Sequence, residues 1–523
     1  MTIQFVDAKT LKQWLHDRSE IALFDVREHG QYGESHLFLA TSVPYSRLEF
    51  EAARLAPRKS VRMVVYDENG SGVSMQAAQA LLKQGYHNIF ILSGGAQGWK
   101  HAGFNLFAGV NLPSKTFGEL VEHQCHTPRV SADDLMKMMS EKDDFIVLDG
   151  RPQSEFKKMS IPGAQCCPNG ELAYRIKSHV NNPDTKIIIN CAGRTRSIIG
   201  AQTLINLGIK NPVYALENGT QGWYLNDYVL EHGKVSQYAE PKLDDEMLLA
   251  SKALADKFQI PLISDEQFFS WKKDEDRSLY LCDVRTAEEF AVNGLPGAQN
   301  TPGGQMIQAT DQFVGVRNAR IVLYDSDGVR AVTVASWLKQ MGHDVTVLRD
   351  GIQSKVSLPN PQIDHSLGLE TLTAAELHTA NENNSAILLD IRGSMQYRKS
   401  HLPGSLWAIR PRLLEMIQGT QKPIVIISDD PALTYGALLE LHGCNLTAKV
   451  YELQGPQFPK EFEVISSDAL PPDADCIDFL FFVHDRHDGN KDAARRYLEW
   501  ETGLIAQLDE DEINLYSIQE GWK

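Results

Sequence analysis

A single cysteine stands at the most reactive position this chain offers. Cys191 ends the apolar run Ile187, Ile188, Ile189 and Asn190, and is followed by Ala192, Gly193, Arg194, Thr195, Arg196 and Ser197. A thiol facing unpaired backbone N–H groups, the positive end of a helix and two guanidiniums is stabilised as its anion, and such settings lower a cysteine pKa from about 8.5 towards roughly 3.5 to 7.5. The chemistry expected is nucleophilic attack at neutral pH. Two elements must position it. The isoleucine run has β-strand character, and from Ser197 onward Ile198, Ile199, Ala201, Leu204, Ile205 and Leu207 recur at helical spacing. Ala192 to Ser197 is therefore predicted to be the loop whose amides face the sulfur.

That strand, loop and helix belong to a unit that occurs four times. Asp25-Val26-Arg27, Asp149-Gly150-Arg151, Asp283-Val284-Arg285 and Asp390-Ile391-Arg392 each end an apolar strand, and a second buried strand leads to Asp67, Cys191, Asp325 and Asp429, which lie 42, 42, 42 and 39 residues after the leading aspartates. Between the two marks lie related turns, Ile161-Pro162-Gly163-Ala164 and Leu295-Pro296-Gly297-Ala298 among them. The first two copies close on Gly95-Ala96-Gln97-Gly98-Trp99 and Gly219-Thr220-Gln221-Gly222-Trp223, an ending the others lack. Alternating strands and helices in units of about 100 residues imply a parallel sheet covered on both faces, with reactive groups at the carboxyl ends of its strands. The Asp-x-Arg marks, Asp149 and Arg151 included, are expected to be buried ion pairs that support a strand end rather than catalysts.

Composition narrows the functional classes. With 523 residues, 42% of them hydrophobic, the chain divides into several domains, taken as 1–112, 125–235, 258–355 and 368–466 with an extension 467–523. Segment 234–257 is expected to link two pairs of domains. In the extension a strand is predicted over Ile477–Val483, a turn over His484–Asn490 and a helix over Asp492–Leu508, with a folded-back contact to the active pocket in prospect. No apolar run approaches the roughly 20 residues that cross a bilayer, and the start lacks the order of a signal peptide, so a cytoplasmic protein without a membrane partner is expected. Seven cysteines without Cys-x-x-Cys spacing predict reduced thiols and no metal site, and a net charge of −17 argues against a nucleic-acid partner.

The Asp-x-Arg strand, the Ile/Leu-Pro-Gly turn, the Cys-led loop and the Gly-x-x-Gly-Trp ending together resemble rhodanese domains, over residues 1–465 and most strongly in the first two copies. The loop Cys191 to Arg196 has the length of sulfur-transferring members; phosphatase-like and arsenate-reducing relatives carry one residue more. The resemblance implies an α/β fold of four tandem rhodanese-like domains, each a parallel sheet flanked by helices on both faces. It implies a sulfurtransferase in which Cys191 takes sulfur from a small anionic donor (thiosulfate, a persulfide or 3-mercaptopyruvate) and passes it to a thiol or protein acceptor, with no cofactor. Ala192, Gly193, Arg194, Thr195, Arg196 and Ser197 would cradle the sulfur, and Arg194 and Arg196 would hold the donor. Cys167, beside Cys166, is a candidate relay thiol, set against a plain buried cysteine; Glu171 and Arg175 are candidates for shaping the donor pocket, set against surface charge. The three copies with aspartate in place of cysteine are expected to be inactive, the first walling the pocket of the second. The competing reading is a sulfur-carrier scaffold whose degenerate domains dock partner proteins.

Overall fold

The computed structural model describes residues 3–236, 238–361, 368–487 and 489–519. In the second repeat the strands lie side by side in the order Arg129–Val130, Val213–Leu216, Lys186–Asn190, Phe145–Asp149 and Gln165–Cys166, all parallel. Consecutive residues of a strand point to opposite faces, yet Ile187, Ile188 and Ile189 are all fully buried, so helices cover both sides of this sheet. The register places Asp149 beside Asn190, which brings the Asp-x-Arg mark and Cys191 to one end of the sheet. The first and third repeats have five-stranded sheets of the same order. The fourth has four strands, with Thr371 bridging to Val450 where the others carry their first strand.

The Asp-x-Arg marks build the same fork in every repeat. Arg27, Arg151, Arg285 and Arg392 donate from Nε to the aspartate two residues earlier at 3.0, 2.8, 2.9 and 2.9 Å, and from Nη2 at 2.6, 2.8, 2.6 and 2.6 Å. In three of them Nη2 also reaches a carbonyl in the following turn, of Ser35, Met159 or Ser400. A planar guanidinium thereby ties a strand end to the turn behind it.

Contacts divide the chain into two compact units, and the division differs from the expected pairing of neighbours. The first and fourth repeats fall in one unit; the second and third fall in the other, together with the tail from Val483. Within the latter, helix Asn169–His179 packs on helices Gly303–Gln308 and Arg330–Gln340 of the third repeat. A Cβ on Gly170 would lie 2.6 Å from the Gly304 nitrogen, so only glycine lets these backbones meet. Trp337 Nε1 donates to Thr203 Oγ1 at 2.8 Å, and the fully buried Arg330 reaches Glu171 at 2.9 Å.

Three local expectations change. The helix after Cys191 begins at Thr195, two residues earlier than its apolar period suggests. Ile477–Val483 forms turns rather than a strand, because the Ile477 carbonyl accepts from Gln31 N and the Phe479 carbonyl lies against Gly30, where a Cβ would approach to 2.3 Å. The helix expected over Asp492–Leu508 spans Lys491–Thr502 and stops before Gly503, and a separate short helix follows at Glu510–Ile513.

Because Asp390 and Arg392 are both fully buried, Asp390→Ala leaves an uncompensated guanidinium and should cost about 3–5 kcal/mol. Hydrogen exchange of the amides in Ile387–Asp390 and Ile424–Ser428 measures this; unchanged protection there would show that the fork carries no such weight.

Candidate active site

Cys191 is the first residue beyond the central strand Lys186–Asn190, and the turn that carries it is fixed from behind. Its carbonyl accepts from Thr220 N at 2.8 Å and Thr220 Oγ1 at 2.9 Å, and the Ala192 carbonyl accepts from Gln221 N at 3.0 Å. These contacts need Gly219. Its φ is +53°, and a Cβ there would lie 2.4 Å from the Cys191 carbonyl oxygen. Asn190 braces the same turn, donating from Nδ2 to Asp149 at 2.7 Å and to Thr220 Oγ1 at 3.1 Å.

The arginines are engaged by carboxylates. Arg194 donates from Nε and Nη2 to Glu119 at 2.7 and 2.9 Å and also pairs with Glu122; Arg196 forms a two-pronged pair with Glu155 at 2.8 Å on each side. Ser197 gives both its hydroxyl, at 2.7 Å, and its N–H, at 3.1 Å, to the Arg194 carbonyl, which leaves less for the sulfur. Burial therefore dominates at Cys191, which is 2% exposed. It pushes the thiol above its ordinary range, against the pull of Arg196 and Ser197 towards the thiolate. The sequence predicts a lowered pKa; in the free protein the sign is the opposite.

Two helices complete the surroundings, one that the sequence does not single out and one that it expects to fold back on the pocket. Leu112–Cys125, outside the expected domain boundaries, supplies Glu119, Glu122 and Lys115. Lys491–Thr502 lays Tyr497 and Glu501 on the loop: a Cβ on Gly193 would be 3.1 Å from Tyr497 Cε1 and 3.1 Å from Glu501 Oε2. Thr195 Oγ1 donates to Glu501 Oε1 at 2.9 Å, and Lys115 Nζ lies 3.3 Å from that oxygen and touches the Tyr497 hydroxyl. Burial opposes the Lys115 ammonium, but Glu501 and Tyr497 outweigh it and raise its pKa. Arg486 lies over the Tyr497 ring, 4.4 Å from its centroid, so the cations Lys115, Arg194, Arg196 and Arg486 stand among the carboxylates of Glu119, Glu122, Glu155 and Glu501. The amphipathic spacing of the tail is legible in the sequence, but nothing in it marks Glu501 as a buried group.

The rhodanese-like domain model matches residues 7–102, 131–226 and 268–356. A crystal structure of thiosulfate sulfurtransferase from Pseudomonas aeruginosa superposes with a TM-score of 0.91 at 36% sequence identity, covering 99% of this chain and 100% of that one. The chain belongs to the rhodanese-like family. Among curated relatives, the thiosulfate sulfurtransferase GlpE of Coxiella burnetii is 30% identical over 92 residues, 17% of this chain and 82% of that protein. An uncharacterised Synechocystis protein is 34% identical over 105 residues, and the match spans 56% of its length.

The other rhodanese-like repeats show what the loop can hold. In the first, Asp67 accepts from the N–H groups of Asn69, Gly70, Gly72 and Ser74 at 3.1, 2.5, 2.9 and 2.9 Å. In the third, Asp325 accepts from Asp327, Gly328 and Ala331 at 3.3, 2.9 and 2.8 Å. By register the last three amides correspond to those of Gly193, Arg194 and Ser197. The fourth loop is different: Asp429 accepts from Gln396, and Asp430 caps a helix that starts at Pro431. Among the described residues no group of three or more His, Cys, Asp or Glu is arranged to hold a metal ion, and no helix is long and apolar enough to cross a membrane.

The remaining candidates sit elsewhere. Cys166 and Cys167 are buried and free; burial pushes Cys166 up to about 12 and Cys167 well above the usual range. Such thiols are poor attackers at neutral pH. Glu171 and Arg175 form a buried pair at 2.6 Å, and Glu171 also receives Arg330. Both are engaged: Glu171 joins the second repeat to the third through Arg330, and Arg175 holds Glu171 and the Ala239 carbonyl, at 2.6 Å each.

Gly219→Ala should strain the turn behind Cys191 by about 1–3 kcal/mol and lower the melting temperature while slowing alkylation of Cys191; an unchanged melt would contradict the close approach. Alkylation of the Cys191 peptide by iodoacetamide is expected to rise with pH into the alkaline range. Arg196→Gln removes a cation that favours the thiolate and should move that profile to higher pH, and a shift to lower pH would refute that role for the guanidinium.

Proposed function

We propose that this protein is a sulfurtransferase that carries sulfane sulfur as a persulfide on Cys191. The observation that carries the reading is the comparison of repeats: where the first and third hold an anionic carboxylate in a ring of loop amides, the second offers the same turn with a sulfur nucleophile. Chain-wide similarity to a thiosulfate sulfurtransferase supports the reaction class.

In the first step the Cys191 thiolate attacks the outer sulfur of thiosulfate, forms an S–S bond and releases sulfite, with the charge of the attacking thiolate retained on the new persulfide. In the second, an acceptor thiolate attacks that terminal sulfur, takes it away and returns Cys191 as a thiolate. The amides of Gly193, Arg194 and Ser197 would stabilise the terminal sulfur, as their counterparts do a carboxylate. Arg196 is the cation that acts on the Cys191 sulfur and would face the charge of the donor. Arg194, locked by Glu119 and Glu122, is assigned a positioning role. Ala192 and Thr195 hold the turn through the Gln221 amide and Glu501. Asp149 and Arg151 act only through the strand end. A thiolate of raised basicity is scarcer at neutral pH but more nucleophilic when formed, so burial does not forbid the attack.

Intact-protein mass spectrometry after mixing with thiosulfate tests this. The wild type should gain the mass of one sulfur atom at Cys191 and lose it to a thiol or cyanide, while Cys191→Ala gains none. A persulfide on another cysteine in that variant, or no loading of the wild type by any sulfane donor, would overturn the proposal.

A further inference from the structure

The loop that carries Cys191 has unsatisfied polar neighbours. Glu501 is 1% exposed; its Oε1 is occupied by Thr195 and Lys115, but its Oε2 has no hydrogen-bond partner among the described residues. Gln221 is 2% exposed, and both atoms of its side-chain amide are without partners among those residues. These groups converge. The position that a Cβ on Gly193 would take lies 3.1 Å from Glu501 Oε2 and 3.8 Å from Gln221 Nε2, two residues after the cysteine. A buried polar atom left without its hydrogen bond costs about 1–3 kcal/mol, and such atoms gathered at one point are characteristic of a site that is completed by something else.

The charge there selects among ligands. Lys115 already pairs with Glu501 through Oε1, and Arg194 and Arg196 are taken up by other carboxylates, so a dianion would meet paired cations and a Glu501 Oε2 that accepts no hydrogen bond among the described residues. Once Cys191 bears a persulfide, a further negative charge is added. A group that donates hydrogen bonds and carries positive charge is the complement to Glu501 Oε2 and to the added persulfide charge, and the Gln221 side-chain amide, both of whose polar atoms are unpartnered among the described residues, offers a second polar contact. Resting on the reading of Cys191 as a persulfide carrier, we propose that Glu501 and Gln221 form a selecting subsite for the sulfur acceptor, and that the preferred acceptor is a small thiol bearing a protonated amine. The ammonium docks on Glu501 Oε2 beside the Gln221 side-chain amide while its thiolate attacks the terminal sulfur; the sulfur moves to the acceptor and the electron pair of the broken S–S bond stays on Cys191.

Three thiols of similar size separate this from general reactivity: cysteamine, 2-mercaptoethanol and 3-mercaptopropionate, which carry a positive, neutral and negative group. The full-length protein is loaded with thiosulfate, desalted and mixed with each thiol, and loss of sulfur from Cys191 is followed by mass, with rates corrected to the thiolate concentration. Wild type should discharge fastest to cysteamine and slowest to 3-mercaptopropionate. Glu501→Gln preserves the Oε1 contacts and removes the charge, so it should slow cysteamine about tenfold relative to 2-mercaptoethanol, the scale of one charged hydrogen bond, and speed 3-mercaptopropionate. Gln221→Glu adds a carboxylate and should widen the preference, which keeps the test open if the first variant does not fold. Equal effects on the three thiols, or a wild type indifferent to their charge, would overturn the subsite. Failure to load Cys191 would instead defeat the persulfide reading itself, before any thiol is added.

Discussion

The constraint on which the second repeat turns is a cysteine sulfur at a strand end with almost no contact with water. Burial alone drives Cys191 towards the neutral thiol. What opposes it is local and geometric: backbone donors fixed at the end of a parallel strand, one guanidinium within electrostatic reach, and a helix start aimed at the turn. None of these helps unless the turn is rigid, because an amide that rotates away stabilises nothing. Much of the second repeat serves that rigidity, from the Asp149–Arg151 fork through Asn190 and Thr220 to the bare Cα of Gly219.

The four repeats show how far one scaffold can be pushed by a change at one position. In the first and third, an aspartate offers its own carboxylate to the loop amides, so those donors are satisfied internally. In the fourth, the helix starts directly after the turn and the cradle is lost, with Asp430 used as a cap instead. Domain geometry is retained in all of them through the same buried ion pair, whose value lies in setting the strand end.

Charge around the reactive sulfur follows from packing more than from composition. The chain carries a large negative excess, and carboxylates reach the site from helices before and after the domain core: Glu119 and Glu122 from one side and Glu501 from the other. Glu119 and Glu122 on Arg194, and Glu155 on Arg196, convert two arginines that would otherwise present open positive charge into braces. Beside the loop, Glu501 pairs with Lys115 through one oxygen while the other accepts no hydrogen bond among the described residues.

Sequence by itself determined the repeat, the strand-to-helix position of Cys191, the aspartates that replace it and the Asp-x-Arg pairs, because each is written within one repeat as a fixed spacing between residues of defined chemistry. It placed the start of the helix after Cys191 two residues late, since the first turn of a helix need not carry the apolar period. Only the tertiary structure decided that the second repeat packs with the third, that Glu171 meets Arg330 in that packing, and that Glu119, Lys115, Tyr497 and Glu501 surround the loop. These last four lie between 72 and 310 residues from Cys191. The sign of the cysteine's pKa was decided there too, because desolvation depends on which distant segments exclude water, and no local pattern records that.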